Sequence, residues 1–377
     1  TYGNPGVPGF SGSADQYRLV DANGCPITTD GFSQRLCHAY ANGAGQRFCG
    51  ELAKKVTLDA ANLGAHNIYL DEFTYEGAFP CYGTGHGHPV GGGSYMTTAR
   101  RANVVDMLTA RRATDPSFFA SSESPTEAFS DVIQLAFEHA SPDMLPDFGR
   151  SLPMYAAVFH DYQLTSRILN VSNSPSGLFG NAFQRRVIGY SGYFGDIPSG
   201  GSQLIGELMS TNLTNPSFLR SALLLKSMVG VAKQALVRPY FHTGRRLRDV
   251  PHTAARIPSA PGFKGLLSAW IDASADQPTV YVSTWADPTV ANSFGLMVTN
   301  WTDAVDTFPP STVVGGLQNI TATIDAAKLG VLPGNYDVTL VTETAQIPLG
   351  VLPINPTLAV PVTIPPLSTL FIRFKKI

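Results

Sequence analysis

The length, composition and charge of the chain exclude several classes of function. It has 377 residues, of which 14% are charged, and a formal net charge of -2. Such a chain has no basic excess of the kind that binds nucleic acid or an anionic membrane, and no run of about 18 apolar residues is present that would span a bilayer. The missing initiator Met and signal peptide indicate a mature, cut or incomplete chain.

The four cysteines all lie in the first quarter of the chain, at Cys25, Cys37, Cys49 and Cys81. None of them forms a CxxC pair, which argues against a zinc site. Residues 1–42 are rich in Gly, Pro, Asn and Ser and read as loops. We expect the cysteines to form two disulfides that pin loops around an active face, with all three pairings open.

The first α/β unit is predicted at residues 45–72. Apolar residues recur at helical spacing within residues 45–63, and Gly64 stands where a helix-ending glycine belongs. A buried strand over residues 67–72 follows, and it ends in Asp71 and Glu72. Chemistry in parallel α/β folds collects at the carboxyl ends of strands, so these acids are functional candidates.

A glycine-rich stretch, Gly83–Gly93, follows the acidic strand end and contains His86 and His88. It lacks the context of a dinucleotide-binding or phosphate-binding loop, so we expect no cofactor. Two histidines separated by one residue are weak evidence for a metal, and we assign none. The stretch is predicted to contact substrate, and a simple mobile loop is the alternative.

Two further units repeat the pattern of a helix and a strand that ends in an acid. A helix over residues 96–112 precedes a strand at 117–122, which ends in Glu123. A capping box, Ser124-Pro125-Thr126-Glu127, then predicts a helix over 125–139 and gives Glu127 a structural alternative. A strand over 153–160 ends at His160, Asp161 and Tyr162. Three acidic strand ends separated by helices are typical of a (β/α) barrel.

The last third of the chain changes character after Pro258. A long loop over 163–200 and helices near 202–211 and 216–237 come before it. Six short strands are predicted after it: Ser268–Ala273, Thr279–Thr284, Phe294–Thr299, Ile320–Ile324, Tyr336–Val341 and Leu370–Phe374. Regular turns between short alternating strands favour an antiparallel β-sandwich. We therefore predict a partial TIM-type barrel domain at residues 1–257 and a β-sandwich domain at 258–377.

Four N-x-S/T sequons are present, at Asn170, Asn212, Asn300 and Asn319. Together with few charges and an even number of cysteines, they favour a secreted, glycosylated protein. The alternative is a cytosolic protein with free thiols.

Three motifs carry a resemblance to a known family: Tyr69-Leu70-Asp71-Glu72, the loop from His86 to Gly93, and Ser122-Glu123-Ser124-Pro125-Thr126-Glu127. Together they resemble the glycoside-hydrolase-like family of domain of unknown function 6259, over about residues 20–375. The resemblance implies a TIM barrel followed by a C-terminal β-sandwich, similar to α-galactosidases. The nucleophile of such barrels is an aspartate at the end of the fourth strand, which Asp71 matches. The acid/base residue of these barrels comes from a later strand, and both Glu123 and Asp161 match that position.

Glycoside hydrolysis on paired carboxylates is therefore the expected activity, with a carbohydrate as substrate. We assign Asp71 as nucleophile and Glu123 as acid/base, with Asp161 as the alternative acid, and a retaining outcome is favoured. The residues expected to contact the sugar are Glu72, Tyr75, His86, His88, Glu127, His160 and Tyr162.

The chain departs from the barrel pattern because only about 65 residues precede Asp71, whereas three further units of about 30 residues each belong there. We expect a second polypeptide, either the N-terminal part of a precursor or a symmetric copy, to cover the open side. Two rival functions remain. One is a non-catalytic carbohydrate-binding or structural extracellular protein on a degenerate hydrolase barrel. The other is a metal-dependent hydrolase that uses His86, His88 and an acid.

Overall fold

The structure is a computed structural model, and it describes residues 10, 14–29, 33–71, 73–74, 79–123, 126–139, 158–160, 162–169, 185, 188–189, 197–200, 216–257, 277–303, 307–308, 312–313 and 315–377. The chain is a mixed α/β protein that divides into two compact units, Thr1–Ala136 and Phe137–Ile377. The predicted boundary at 257/258 adjoins residues 258–276, outside the described residues, and stays a prediction. None of the described helices is both long and apolar enough to cross a membrane.

The first unit contains two helices and a small number of strands. In chain order they are β1 (Thr28–Thr29), β2 (Ser33–Gln34), α1 (Phe48–Ala61), β3 (Asn67–Leu70), α2 (Tyr95–Arg112), β4 (Phe119–Glu123) and β5 (Leu135–His139), the last of which runs on into the second unit. Short 3₁₀ turns occur at Ala14–Tyr17 and Glu127–Phe129. The two helices and the strands β3 and β4 lie close to where the sequence predicts them.

Strands β3 and β4 are parallel neighbours, as the unit pattern requires. Leu70 lies opposite Ser122 in the register, so the next residue on each strand, Asp71 and Glu123, continues the same row. A hydrophobic core backs this pair. It consists of Phe73, Val104, Met107, Leu108, Phe118, Ala120, Phe129, Val132 and Ile133. The core fixes where the two strands end and therefore where the two acids stand.

Helix α1 packs against α2 with a different face from the one that its apolar spacing predicts. Phe48 is buried, but Val56 and Leu63 are 48% and 87% exposed. The contact with α2 runs through Gly50 instead. A Cβ at Gly50 would come 2.8 Å from Oδ1 of Asn103. The close approach of the two helices at this glycine turns Val56 and Leu63 outward.

The amino ends of β3 and β4 are held by polar side chains. Asp115 accepts hydrogen bonds from the Ser117 hydroxyl at 2.6 Å and from His66 at 2.9 Å. The Arg111 guanidinium donates to Asp115 at 3.3 Å and to the Ala65 carbonyl at 3.1 Å. Hydrogen bonds therefore stabilise the amino ends of the two strands, while Asp71 and Glu123 lie at their carboxyl ends.

Predictions are wrong in three segments, and in the loop predicted over 163–200 the structure has strands at Leu164–Leu169 and Ile197–Gly200. The helix predicted over residues 125–139 is instead the 3₁₀ turn Glu127–Phe129 followed by strand β5. No side-chain hydrogen bond caps this turn at Thr126, and Ser124, the first residue of the predicted capping box, lies outside the described residues. Within the strand predicted over 153–160, the described residues 158–160 form a helical turn, and residues 153–157 lie outside the described part.

The second unit is dominated by strands. Its elements are β6 (Leu164–Leu169), β7 (Ile197–Gly200), α3 (Pro216–Ala232), α4 (Arg238–Phe241), β8 (Arg245–Arg246), β9 (Arg256–Ile257), β10 (Gln277–Pro278), β11 (Val280–Ala286), β12 (Ser293–Asn300), β13 (Thr307–Phe308), β14 (Thr312–Val313), β15 (Gln318–Asp325), α5 (Ala326–Leu329), β16 (Gly334–Val341), β17 (Gln346–Ile354), β18 (Thr357–Ile364) and β19 (Ser368–Lys376). Strands β6 and β7 are parallel, and the long strands after residue 277 are antiparallel.

Two antiparallel sheets share one core in this unit. The larger has the order β17-β16-β19-β12-β11-β8, and the smaller pairs β15 with β18. Side chains of both sheets meet in one cluster, including Phe294 and Phe374 from the larger sheet and Ile320 and Val362 from the smaller. The rings of Phe294 and Phe374 stack at 4.8 Å. A closed barrel is not observed among the described residues, which include the parallel strand pairs β3–β4 and β6–β7.

Candidate functional site

The carboxyl ends of β3 and β4 bring two acids to one hydroxyl group. The Tyr69 Oη lies 2.6 Å from Oε1 of Glu123 and 3.1 Å from Oδ1 of Asp71. Glu123 is 8% exposed, and Asp71 is exposed to solvent. The acids that the strand-end rule singled out are therefore neighbours, and Tyr69 connects them.

The Tyr69 hydroxyl stays protonated in this position. Burial raises the pKa of Tyr69, and the hydrogen bond and charge of Glu123, followed by those of Asp71, raise it further. The two acidic side chains favour a neutral phenol beside them, because a phenolate would place a negative charge next to both. Tyr69 can thus act as a hydrogen-bond donor to this site across the pH range in which most enzymes work.

The chain after β3 turns across the end of β4. The Ser122 hydroxyl donates to the Leu70 carbonyl at 2.8 Å, and it accepts from the Thr74 amide at 3.2 Å. Arg100 donates to the Phe73 carbonyl, and its guanidinium lies 4.7 Å from the centre of the Phe73 ring. These contacts connect the ends of β3 and β4 next to Asp71 and Glu123.

The structure describes only some of the other predicted substrate residues. Glu72, Tyr75 and Asp161 lie outside the described residues. Glu127 is exposed on its 3₁₀ turn and Tyr162 is 69% exposed.

His160 lies in the second unit in a structural setting. It is 2% exposed, its Nδ1 donates to the Gly244 carbonyl at 2.9 Å, and its ring packs 4.6 Å from Trp285. This is the environment of a core histidine, because one ring nitrogen is hydrogen-bonded to the backbone and the ring face is covered.

The predicted disulfides are wrong, because all four cysteines are free thiols. Cys25 is exposed in a turn, and Cys49, on α1, points its Sγ at the Cys37 carbonyl, 3.8 Å away. Cys37 and Cys81 are completely buried. The prediction rested on the even number of cysteines, which does not reveal the surroundings of each thiol. In the structure, Cys37 and Cys81 face histidines.

Cys37, Cys81, His86 and His88 form a cluster that sequence reasoning missed. One ligand atom of each residue lies within 4.8 Å of the others. The two thiols share a hydrogen bond, which lowers the pKa of Cys81 to about 4 and raises the pKa of Cys37. The search for CxxC pairs did not detect this cluster, because Cys37 lies 51 residues before His88 in the sequence. The cluster contains no carboxylate, unlike the predicted metal-dependent hydrolase.

Two of the four sequons fall within the described residues. Asn300 is fully buried, and its Nδ2 donates to the carbonyls of Gly316, Ile364 and Pro365. A glycan on that nitrogen is incompatible with this fold, which removes Asn300 from the predicted glycosylation sites. Asn319 is exposed and stays a prediction. Asn170 and Asn212 lie outside the described residues.

Solved structures similar to the chain have low identity to it. A GH27 β-L-arabinopyranosidase from Geobacillus stearothermophilus is 12% identical with a TM-score of 0.44, over 98% of this chain and 69% of that chain. A noncanonic maltogenic α-amylase from Thermotoga neapolitana is 12% identical with a TM-score of 0.47, over 96% of this chain and 73% of that chain. No curated protein matches the sequence.

The family comparison concerns the segment that carries the two acids. Residues 32–168 match the family model described as domain of unknown function (DUF6259). This segment includes Asp71, Glu123 and the histidine loop, which are the motifs on which the resemblance rests. The likeness to the domain of unknown function 6259 is therefore confirmed over residues 32–168.

Proposed function

We propose that the first unit carries a glycoside hydrolase site in which Asp71 is the nucleophile and Glu123 is the acid/base. The observation that carries this proposal is the Tyr69 hydroxyl, which lies 2.6 Å from Glu123 Oε1 and 3.1 Å from Asp71 Oδ1. The two carboxylate oxygens are thus no farther apart than the sum of these distances. This limit on the oxygen–oxygen distance is compatible with the roughly 5–5.5 Å that separates the two carboxyl groups of retaining enzymes.

The reaction proceeds in two steps. The Asp71 carboxylate attacks the anomeric carbon, the glycosidic C–O bond breaks, and Glu123 gives its proton to the leaving oxygen. Glu123 then takes a proton from water, whose oxygen attacks the same carbon and releases Asp71. Tyr69 acts as a positioning residue, because its hydroxyl holds both carboxylates at this separation. The choice of Asp71 as nucleophile follows the family resemblance.

The test uses aryl glycosides with an activated leaving group and the variants Asp71→Ala and Glu123→Ala. Each variant is expected to lower kcat/KM by roughly 10²–10⁴-fold, because each removes one participant in covalent or acid–base catalysis. Added azide should restore turnover by occupying the space left by the missing carboxylate. The product, read by NMR, should be a glycosyl azide of inverted configuration for Asp71→Ala and of retained configuration for Glu123→Ala.

The matched control is Asp59→Asn, which changes an exposed carboxylate on α1 that pairs with Lys55. It should hydrolyse the same substrates at the wild-type rate. Full activity of Glu123→Ala, with loss in Asp161→Asn, would overturn the assignment of Glu123. Sugar binding that depends on Asp71, with no hydrolysis of any glycoside by the wild type, would favour the carbohydrate-binding alternative.

Three coarser proposals accompany this function. The first unit is part of a TIM-type barrel and the second contains a β-sandwich, which the parallel and antiparallel pairings support. A second polypeptide covers part of the first unit, where Val56, Leu58 and Leu63 are exposed. The protein is secreted, a proposal supported by the exposed sequon at Asn319 and no longer by disulfides.

A further inference from the structure

We propose that Cys37, Cys81, His86 and His88 bind one zinc ion as a structural site in the first unit. This site is separate from the proposed hydrolysis of glycosides, and it stands or falls independently of that activity.

The spacing of the four ligand atoms is close to that of a tetrahedral site. All lie within 4.8 Å of one another. The Cys37 Sγ is 3.1 Å from His88 Nε2, and the Cys81 Sγ is 3.4 Å from His86 Nδ1. Zinc binds sulfur at about 2.3 Å and imidazole nitrogen at about 2.0–2.1 Å, so the edges of its tetrahedron are roughly 3.3–3.8 Å. The cluster therefore needs only small side-chain shifts to surround an ion.

The His88 ring is oriented as a ligand. Its Nδ1 donates to the Pro89 carbonyl at 2.7 Å, which in a neutral imidazole makes Nε2 the nitrogen with the free lone pair, and Nε2 faces Cys37. The ring stacks on Tyr95 at 4.6 Å, with 15° between the planes. A hydrogen bond from the second ring nitrogen is the usual means by which proteins fix the tautomer and angle of a zinc-binding histidine.

The His86 ring is held by the backbone around it. A Cβ at Gly83 would come 2.3 Å from His86 Cε1, so only glycine lets the ring lie against the chain there. The Ala41 amide donates to the His86 carbonyl at 3.1 Å, and the Tyr40 ring lies 5.2 Å from the His86 ring. Gly85 and Gly87, with φ of 86° and 76°, let the loop turn on either side.

The chemistry of the four ligand atoms determines which metal ion fits the site. Two cysteines and two imidazoles in tetrahedral reach favour zinc over magnesium or calcium, which prefer oxygen ligands. Two thiolates also balance the charge of a divalent ion in a site where both sulfurs are completely buried. Four protein ligands leave no open position for water or substrate, so the site is structural rather than catalytic.

The ion would join two remote parts of the first unit. Cys37 precedes α1, whereas Cys81, His86 and His88 belong to the connection between β3 and α2, which begins at Asp71. Mutual backbone hydrogen bonds between Cys81 and Gly91, at 3.2 and 2.8 Å, close the histidine loop. Zinc would thus anchor the far end of the connection that starts at the carboxylate site.

The experiment measures metal in the full-length protein, purified without chelators from zinc-supplemented cultures. Elemental analysis should give one zinc per chain. The wild type loaded with Co²⁺ should show thiolate-to-cobalt charge-transfer bands and the intense visible bands of tetrahedral cobalt. Cys81→Ser and His88→Gln should lose the zinc, whereas the controls Cys25→Ser and His66→Gln, at exposed residues outside the cluster, should retain it.

A wild-type measurement keeps the test decisive if the ligand variants fail to fold. Titration of the native zinc protein with a mercurial reagent should release one zinc, detected by a chromophoric chelator, as two thiols are consumed. The proposal is overturned if the wild type holds no zinc and takes up no Co²⁺. It is equally overturned if peptide mapping under non-reducing conditions finds Cys37 joined to Cys81 in a disulfide.

Discussion

The Tyr69 hydroxyl lies 2.6 Å from Oε1 of Glu123, and this contact ties the end of β3 to the end of β4. Tyr69 sits opposite Ser121 in the parallel register, two residues before Glu123 along β4. Its ring therefore reaches forward across the strand ends, and its hydroxyl also reaches Asp71. The geometry of the candidate site depends on this one side chain as much as on the acids.

Tyr69→Phe removes that hydroxyl and keeps the ring. A hydrogen bond to a charged group contributes about 1.5–3 kcal/mol, so kcat/KM on an activated glycoside should fall roughly 10- to 100-fold with little change in the circular dichroism spectrum. Tyr82→Phe, which removes an exposed hydroxyl from the same unit, is the matched control. A wild-type rate for Tyr69→Phe would show that the hydroxyl does not position the carboxylates.

Gly83→Ala tests the close packing of the His86 ring. The added methyl would come 2.3 Å from His86 Cε1, so the ring must leave its position in the cluster. We expect loss of bound zinc and a lower Tm in a thermal scan with zinc present. Gly43→Ala is the control, because a Cβ there meets nothing within 4 Å. Equal zinc content in the two variants would contradict the packing argument.

Asp115 gives the first unit a predictable sensitivity to acid. Hydrogen bonds from Ser117 and then from His66 lower the pKa of Asp115. A carboxyl whose pKa is lower in the folded state stabilises the protein above its unfolded pKa of about 3.9, and that contribution is lost as the pH falls through the folded value. Asp115→Asn should therefore lower Tm at pH 6 and have a smaller effect near pH 2.

Thermal unfolding at a series of pH values between 6 and 2 measures this dependence. Asp59→Asn serves as the comparison, because Asp59 forms an exposed pair with Lys55 on α1 and such pairs contribute little. If Asp115→Asn lowers Tm equally at every pH, the loss comes from packing rather than from the ionised carboxyl.

Gly295→Ala should destabilise the second unit although alanine usually suits a strand better than glycine. A Cβ at this position would come 2.0 Å from Cζ of the buried Phe371. Overpacking of a filled core typically costs roughly 1–3 kcal/mol, which urea unfolding can measure. Thr323→Ala, at an exposed position of β15, should stay within about 0.5 kcal/mol of wild type.

The proposed second polypeptide can be tested by native mass measurement. We expect a particle heavier than one 40.3 kDa chain, because the exposed apolar residues of the first unit, such as Val56 and Leu63, favour burial against a partner. Denaturing mass analysis then distinguishes a second copy from a different chain. A monodisperse particle of one chain at micromolar concentration would show that no partner is needed.

The strand ends were predictable from sequence because the signals there are local. A helix, a capping glycine and a short apolar run fix β3, and parallel pairing then places Asp71 beside Glu123. The segment at 125–139 shows where such signals fail. Phe129, Val132 and Ile133 have helical spacing, but a turn buries all three in one core. Gln134 then hydrogen-bonds to Ala120 through both its amide and its side chain, at 3.0 and 3.1 Å. Tertiary contacts decide the backbone there.

The cysteine–histidine cluster and two late strands escaped prediction for different reasons. The cluster joins residues 51 positions apart, and no local spacing rule detects such a set. Strands β17 and β18 contain Pro348, Pro353 and Pro361, and proline argues against a central strand. Both strands have a single neighbour in their sheets, which is the position where proline is tolerated.

The prolines of β17 also determine how the second unit behaves in a concentrated solution. The strand forms one edge of the six-stranded sheet, and its exposed residues include Ile347, Leu349 and Val351. An apolar edge strand normally recruits the edge of another molecule and seeds aggregation. Pro348 and Pro353 supply no amide hydrogens, and a bulge beside Val338 breaks the regular pairing. The edge therefore offers another strand fewer amide donors than a regular edge would, and we expect the second unit to resist edge-to-edge association.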